Sequence, residues 1–134
     1  MSIRYRVLRG LAICKVADGH VPLWAMALVA DPSTGFTRLL RSPGEITMVC
    51  PMEKVPATES GVEAHSGYVA LQLEGPFPLD AVGILKAFLV PLGEAEIPIF
   101  AISSFQTDFV LIEGTRLDEA ITRLQTAGYE HVTV

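Results

Sequence analysis

Features that mark a catalytic, metal-binding or nucleic-acid-binding chain are scarce in these 134 residues, which include only two cysteines, three histidines and one tryptophan. Cys14 and Cys50 stand far apart in strand-like segments. They read as small buried hydrophobes in a reducing compartment rather than as a disulfide. His20, His65 and His131 share no ligand spacing with one another or with the cysteines, so the sequence holds no metal pattern. No Gly-x-Ser-x-Gly elbow is present, and no histidine lies near a candidate nucleophile. A basic run is also missing: 10 Lys and Arg stand against 15 Asp and Glu, for a net charge of −5. Neutralising phosphates takes clustered cations, so nucleic acid is excluded as a partner. The longest apolar run, Val21 to Ala30, is too short to cross a bilayer. The opening MSIRYRVLRG has basic residues but no apolar stretch behind them, so it is no signal peptide. These absences give a cytoplasmic protein with no cofactor and no membrane partner.

Apolar material is abundant. Half of the residues are hydrophobic, enough for a core and for surface covered by a second subunit. From Tyr68 to Glu74 the pattern alternates, with Val69, Leu71 and Leu73 on one face, as in a half-buried strand. From Asp80 onward Val82, Leu85, Leu89 and Leu92 recur at helical spacing, and Pro91 within that pattern predicts a kink or a freed carbonyl at Ala87. Ile99–Ser103 and Phe109–Glu113 read as an antiparallel pair across a polar corner. Thr115-Arg116-Leu117-Asp118 has the form of a capping box, followed by a helix with Ala120, Ile121 and Leu124 on one stripe and Gly128 at its end. His131 to Val134 closes the order strand, helix, strand, strand, helix, strand.

The first half repeats that order in reduced form. Leu11–Val16 is a strand, and Pro22 opens a short apolar helix containing Trp24. Phe36–Arg41 and Glu45–Cys50 form a hairpin across Ser42-Pro43-Gly44, where Pro then Gly suits a type II turn. Pro51 to Thr58 holds at most one helical turn, and Gly61–Ser66 is a closing strand. His20–Met26 aligns with Pro76–Val82, and Glu45–Pro51 with Asp108–Gly114. The expected fold class is α+β: two ferredoxin-like βαββαβ units, residues 1–61 (reduced) and 62–134, with antiparallel sheets and helices on one face. Exposed sheet edges call for a second copy of the chain, giving a homodimer.

Glu74-Gly75-Pro76, Leu79 to Leu85, Pro91-Leu92, Ile99 to Phe105 and Thr107 to Leu111 resemble the ACT domain. The likeness extends to compact tandem-ACT proteins related to CASTOR-type arginine sensors and aspartokinase regulatory domains, and Glu45–Pro51 resembles the corresponding strand of a first repeat. The resemblance implies a regulatory module that binds an amino acid or related small effector at an ACT–ACT interface, read by a partner enzyme or protein. Carried over by position, the site is Gly75, Leu79, Asp80, Val82, Gly83 and Ile84 in the loop and helix start, facing Ser103, Ser104, Phe105, Gln106, Thr107 and Asp108. In the first repeat, Gly19-His20-Val21-Pro22-Leu23-Trp24 carries neither the Asp nor the following Gly.

The chemistry at those positions suits a zwitterion. Backbone N–H groups around Leu79 to Val82, at a helix N-terminus, meet an effector carboxylate. Asp80 or Asp108 pairs with the ammonium, and the hydroxyls of Ser103, Ser104 and Thr107 orient it. Each residue also has a plain structural reading. Asp80 fits a helix cap, Asp108 a turn, and the two serines can satisfy backbone groups at a strand end. Gly83 permits close approach of either a ligand or a packing neighbour. Trp24 and Phe105 line a pocket or fill a core. Ferredoxin-like enzymes of the acylphosphatase type need an arginine after the first strand. Ala17 to Pro22 and Gly75 to Asp80 have none, so no catalytic residue is assigned. The alternative to sensing is an effector-free oligomerisation or protein-interaction module.

Overall fold

A computed structural model describes residues 3–17, 19–57, 61–78 and 80–133. Seven strands and three helices follow in the order β1 (Arg4–Val16), α1 (Leu23–Ala30), β2 (Arg38–Ser42), β3 (Glu45–Pro51), β4 (Val62–Leu73), α2 (Ile84–Glu94), β5 (Phe100–Ser103), β6 (Asp108–Glu113), α3 (Leu117–Thr126) and β7 (Glu130–His131). The expected ends at Thr58 and Val134 lie outside the described residues. Two compact units emerge: a middle unit of residues 10–68, and a C-terminal unit that joins residues 1–9 to 69–134. The expected units, 1–61 and 62–134, differ from these in residues 1–9 and 62–68.

In the middle unit β2 and β3 form the expected hairpin, with Ser42 opposite Glu45 and Gly44 at φ 75° in the turn. β3 also pairs antiparallel with β1, Cys14 opposite Met48 and Ala12 opposite Cys50. Alternate residues of both strands bury Ala12, Cys14, Val16, Ile46, Met48 and Cys50 together with Ala25 of α1, and Trp24 packs against them. Both cysteines are free and buried. A side-chain hydrogen bond between the two thiols lowers the pKa of Cys14 and, with burial, raises that of Cys50. The single helical turn expected after Pro51 is a 3-10 turn at Met52–Lys54.

The C-terminal unit departs from the simple repeat at its edge. Its strand order is β7-β1-β4-β6-β5, and β7 runs parallel to β1, with Tyr5 opposite His131. The early residues of β1, which lie ahead of the expected strand Leu11–Val16, thus stand between β4 and the closing strand, and the sheet is not purely antiparallel. Tyr5 explains why: its ring is fully buried, stacks on His131 and meets Phe88 edge-on. Val69, Leu71 and Leu73 of β4 pack there with Phe88 and Leu92 of α2, Val110 and Ile112 of β6, and Leu117, Ala120 and Leu124 of α3.

Two local expectations are corrected. A 3-10 turn at Gly114–Arg116 precedes α3, so Thr115 makes no cap and α3 has no side-chain cap hydrogen bond. Arg116 instead holds Glu119 at 2.6 Å and the Ala95 carbonyl at 3.2 Å. α2 begins at Ile84 rather than Asp80, because Gly83 is its N-cap in the left-handed region at φ 83°. Pro91 lies inside α2, as expected.

Candidate functional site: the loop before α2 and the β5–β6 corner

The buried face of β4 ends at Leu73, and the chain then turns against the β5–β6 corner. The Phe77 N–H donates to the Gln106 carbonyl at 2.9 Å. Gly75 lies so close that a Cβ on it would sit 2.9 Å from the same oxygen. A turn closed by the Ala81 N–H on the Pro78 carbonyl, 3.0 Å, carries the chain to Gly83. There α2 starts without a side-chain cap and without an acidic residue in its first turn. The first amides of a helix lack intrahelical acceptors, so those of Ile84, Leu85 and Lys86 present the positive end of the dipole.

The corner is folded on itself. The Ser104 N–H donates to the Thr107 carbonyl at 2.8 Å, and the Ser104 hydroxyl donates to that carbonyl at 2.9 Å. The buried Thr107 hydroxyl donates to the Leu73 carbonyl at 2.6 Å, tying the corner to the end of β4. The Ser103 hydroxyl donates to the Asp108 carboxylate at 2.5 Å, across the register pair that joins β5 to β6. The hydroxyl protons of Ser103, Ser104 and Thr107 are therefore spent within the fold, and what these oxygens have left is acceptor capacity.

Between loop and corner lies an open cleft of about 330 Å³. Of the residues carried over by position, Gly83, Ile84, Ser103, Ser104, Phe105, Gln106, Thr107 and Asp108 line it. Gly75 lines a neighbouring cleft of about 230 Å³ with Gln106 and Thr107. Val82 is 93% exposed and Asp80 is exposed, and neither lines either of these two clefts. Asp80 precedes the helix by more than a cap position, so it does not cap α2. Leu79 lies outside the described residues. A Cβ on Gly83 would meet nothing within 4 Å, so close approach does not explain that glycine; its positive φ does. Phe105 is 77% exposed on the cleft rim, and Trp24 belongs to the middle-unit core.

Lys86 is the charged lining residue that sequence reasoning missed, beside the apolar Phe77, Pro78, Ala81 and Leu85. A cation in the first turn opposes the helix dipole, and that anomaly was legible in the sequence once the helix start was placed. With the α2 amides it makes one side of the cleft positive, while Asp108 supplies a carboxylate from the other element. Among the described residues no group of three or more His, Cys, Asp or Glu could hold a metal ion. No described helix is long and apolar enough to cross a membrane.

An antiparallel β5–β6 pair and a β4–α2 loop meeting it, with two helices packed on the sheet, define an ACT-type α+β fold. Residues 63–126 match the ACT domain family. Over nearly its whole length the chain resembles protein Atu0741 from Agobacterium tumefaciens: 27% identity, 98% of this chain and 93% of that one covered, TM-score 0.82. The ligand-free regulatory subunit of aspartate kinase from Thermus thermophilus matches at 11% identity over 90% of this chain and 93% of its own, TM-score 0.64. The aspartate kinase of Clostridium acetobutylicum, described as an allosteric enzyme, matches at 11% identity and TM-score 0.72. The match covers 94% of this chain but 34% of that kinase. The last two likenesses concern the fold alone.

Proposed function

We propose that the chain is a non-catalytic regulatory module that binds an amino acid or related zwitterion in the cleft between the α2 start and the β5–β6 corner. The observation that carries this reading is the pairing of charges around that cleft. The α2 amides and Lys86 suit a carboxylate, and Asp108 suits an ammonium. Phe105 stands exposed on its rim, and Val82 is exposed in the chain between the lining residues Ala81 and Gly83. These apolar rims fit closure by an ACT unit of a second copy, so that one effector bridges two subunits of a homodimer. Binding then selects one arrangement of the subunits, and a partner enzyme or protein reads that arrangement. Regulatory relatives of aspartate kinase support the class of function, and the Asp and Lys positions supply the ligand class.

The test is thermal unfolding with each common amino acid at millimolar concentration. A ligand at about 100 times its dissociation constant adds ~2.7 kcal/mol, a rise of roughly 10 °C for a chain of this size. The rise should vanish in Lys86→Gln and in Asp108→Asn. Absence of a shift with every amino acid overturns the sensor reading.

A second reading is favoured by α1. Its sequence LWAMALVA has no charged residue, and Leu23, Met26 and Val29 are exposed. Such a helix suits an effector-free oligomerisation or interaction module.

A further inference from the structure

The start of β1 carries charge that neither the larger cleft nor α1 uses. Arg4, Arg6 and Arg9 are three of only 10 Lys and Arg in a chain of net charge −5. Arg4 is answered, lying 3.5 Å from Glu74 and 3.9 Å from Glu130. Arg6 and Arg9 are exposed. Among the described residues, no carboxylate lies within 4.0 Å of either guanidinium.

Both arginines line a cleft of about 370 Å³ within the C-terminal unit. Its origin is the shortness of β7. That strand has two residues, and its register with β1 ends at Tyr5 opposite His131. The Val132 N–H still reaches the Tyr5 carbonyl at 2.8 Å, while on the other edge the Glu74 N–H of β4 reaches the Arg4 carbonyl at 2.8 Å. Beyond Tyr5 the β1 strand runs on without β7 beside it, which leaves a notch. Alternation puts Arg6 and Val7 on opposite faces of the sheet, yet both line this cleft, so it opens at the sheet edge rather than on a face. Its charge is of one sign, because no Asp or Glu is among its described lining residues. His131 adds an imidazole held by stacking on the Tyr5 ring, centroids 5.3 Å apart, and Thr133 adds a hydroxyl. The half-buried Val7, Leu8 and Val132 supply an apolar wall.

We propose that this notch binds a small phosphate monoester, with the phosphate on Arg6 and Arg9 and an apolar or ring-bearing body on Val7, Leu8 and Val132. A guanidinium presents its N–H donors in a fork that matches phosphate oxygens, and a phosphate dianion is what two unpaired cations together neutralise. An ammonium on the ligand would gain nothing, since no carboxylate lines the notch. The net charge of −5 repels a polyanion, so the ligand is small. None of these residues lines the larger cleft. The site therefore stands independently of the effector reading, and either can fail without the other.

Titration calorimetry of the full chain with phenyl phosphate tests it, at about pH 7.5, where the ester is largely a dianion. Phenyl phosphate binds, benzoate with its single charge binds at least ~10-fold more weakly, and phenol does not bind. Arg6→Gln and Arg9→Gln each weaken phenyl phosphate by at least ~10-fold, and Arg6→Lys recovers part of the loss. Arg41→Gln removes the same charge from an exposed position on β2 and leaves the affinity within ~2-fold. In NMR spectra the imidazole signals of His131 move on binding, while those of His20 and His65 hold still. Four results overturn the proposal: no binding at millimolar concentration, benzoate binding as tightly as phenyl phosphate, an equal loss in Arg41→Gln, or binding that survives both Arg6→Gln and Arg9→Gln. The last puts the anion elsewhere on the chain. A thermal shift with amino acids bears on the larger cleft alone. Circular dichroism of each variant checks that it is folded.

Discussion

Gly75 and Gly83 stand in one loop and are glycines for different reasons. At Gly75 a side chain has no room, since its Cβ would sit 2.9 Å from a backbone oxygen of the corner. At Gly83 there is room but the backbone has φ 83°. Gly83→Ala should therefore cost about 1 kcal/mol through backbone strain alone. Gly75→Ala should cost roughly 1–3 kcal/mol, because the loop must move off the Gln106 carbonyl. Urea denaturation separates the two. Tyr5 offers a second test. Burial without a hydrogen-bond partner pushes its phenol up to about 12. Because the folded value lies above the unfolded one of about 10, this contribution is fully present below pH 10 and is lost as pH rises through 12. Alkaline unfolding should show that fall, of order 2–3 kcal/mol, and Tyr5→Phe should abolish it. At neutral pH the same variant should be at least as stable as the parent, to within about 1 kcal/mol, since no hydrogen bond is lost.

Among the elements, α1 and α3 contrast most. α3 buries one stripe, Leu117, Ala120 and Leu124, and turns acidic and basic residues to solvent, as expected for a helix covering one sheet. α1 buries Ala25 and leaves Leu23 84% exposed with no charge on any face. Leu23→Lys combined with Met26→Lys should change the stability of the isolated subunit by no more than about 0.5 kcal/mol, as exposed positions do. If α1 is a contact between copies, light scattering should show a smaller particle for the double variant. An unchanged mass would remove α1 from the interface. The corner between β5 and β6 behaves as an element too: its hydroxyls hold it shut, so its ligand chemistry rests on Asp108 and on acceptor oxygens rather than on free hydroxyl donors.

For the whole molecule, the decisive point is that residues 1–9 belong with 69–134. They bring a fully buried Tyr5 and the strand segment beside which β7 runs parallel. Deleting residues 1–9 should cost the C-terminal unit roughly 3–5 kcal/mol from the lost ring alone. Chemical denaturation of the truncated chain checks this. A chain of residues 62–134 should fail in the same way despite containing the whole of the 63–126 segment that matches the ACT family. If it folds with parental stability, the strand contributed by β1 is dispensable.

Local pattern determined much of this protein. Alternation announced the second half of β4, which runs unbroken from Val62 through the segment expected as a separate closing strand, Gly61–Ser66; helical spacing announced α2 and α3, Pro-Gly announced the β2–β3 turn, and the ACT resemblance located the loop and the corner that form one cleft. Those signals are short-range, so a linear reading recovers them. Other features depend on partners distant in sequence. The placement of β1 beside β7 follows from Tyr5 finding Phe88 and His131. The start of α2 follows from the backbone state of Gly83, which shifted Asp80 out of the first turn and brought Lys86 into it. The cations Arg6 and Arg9 share a cleft with His131 only because strands β1 and β7 are neighbours, a pairing that tertiary packing alone decides.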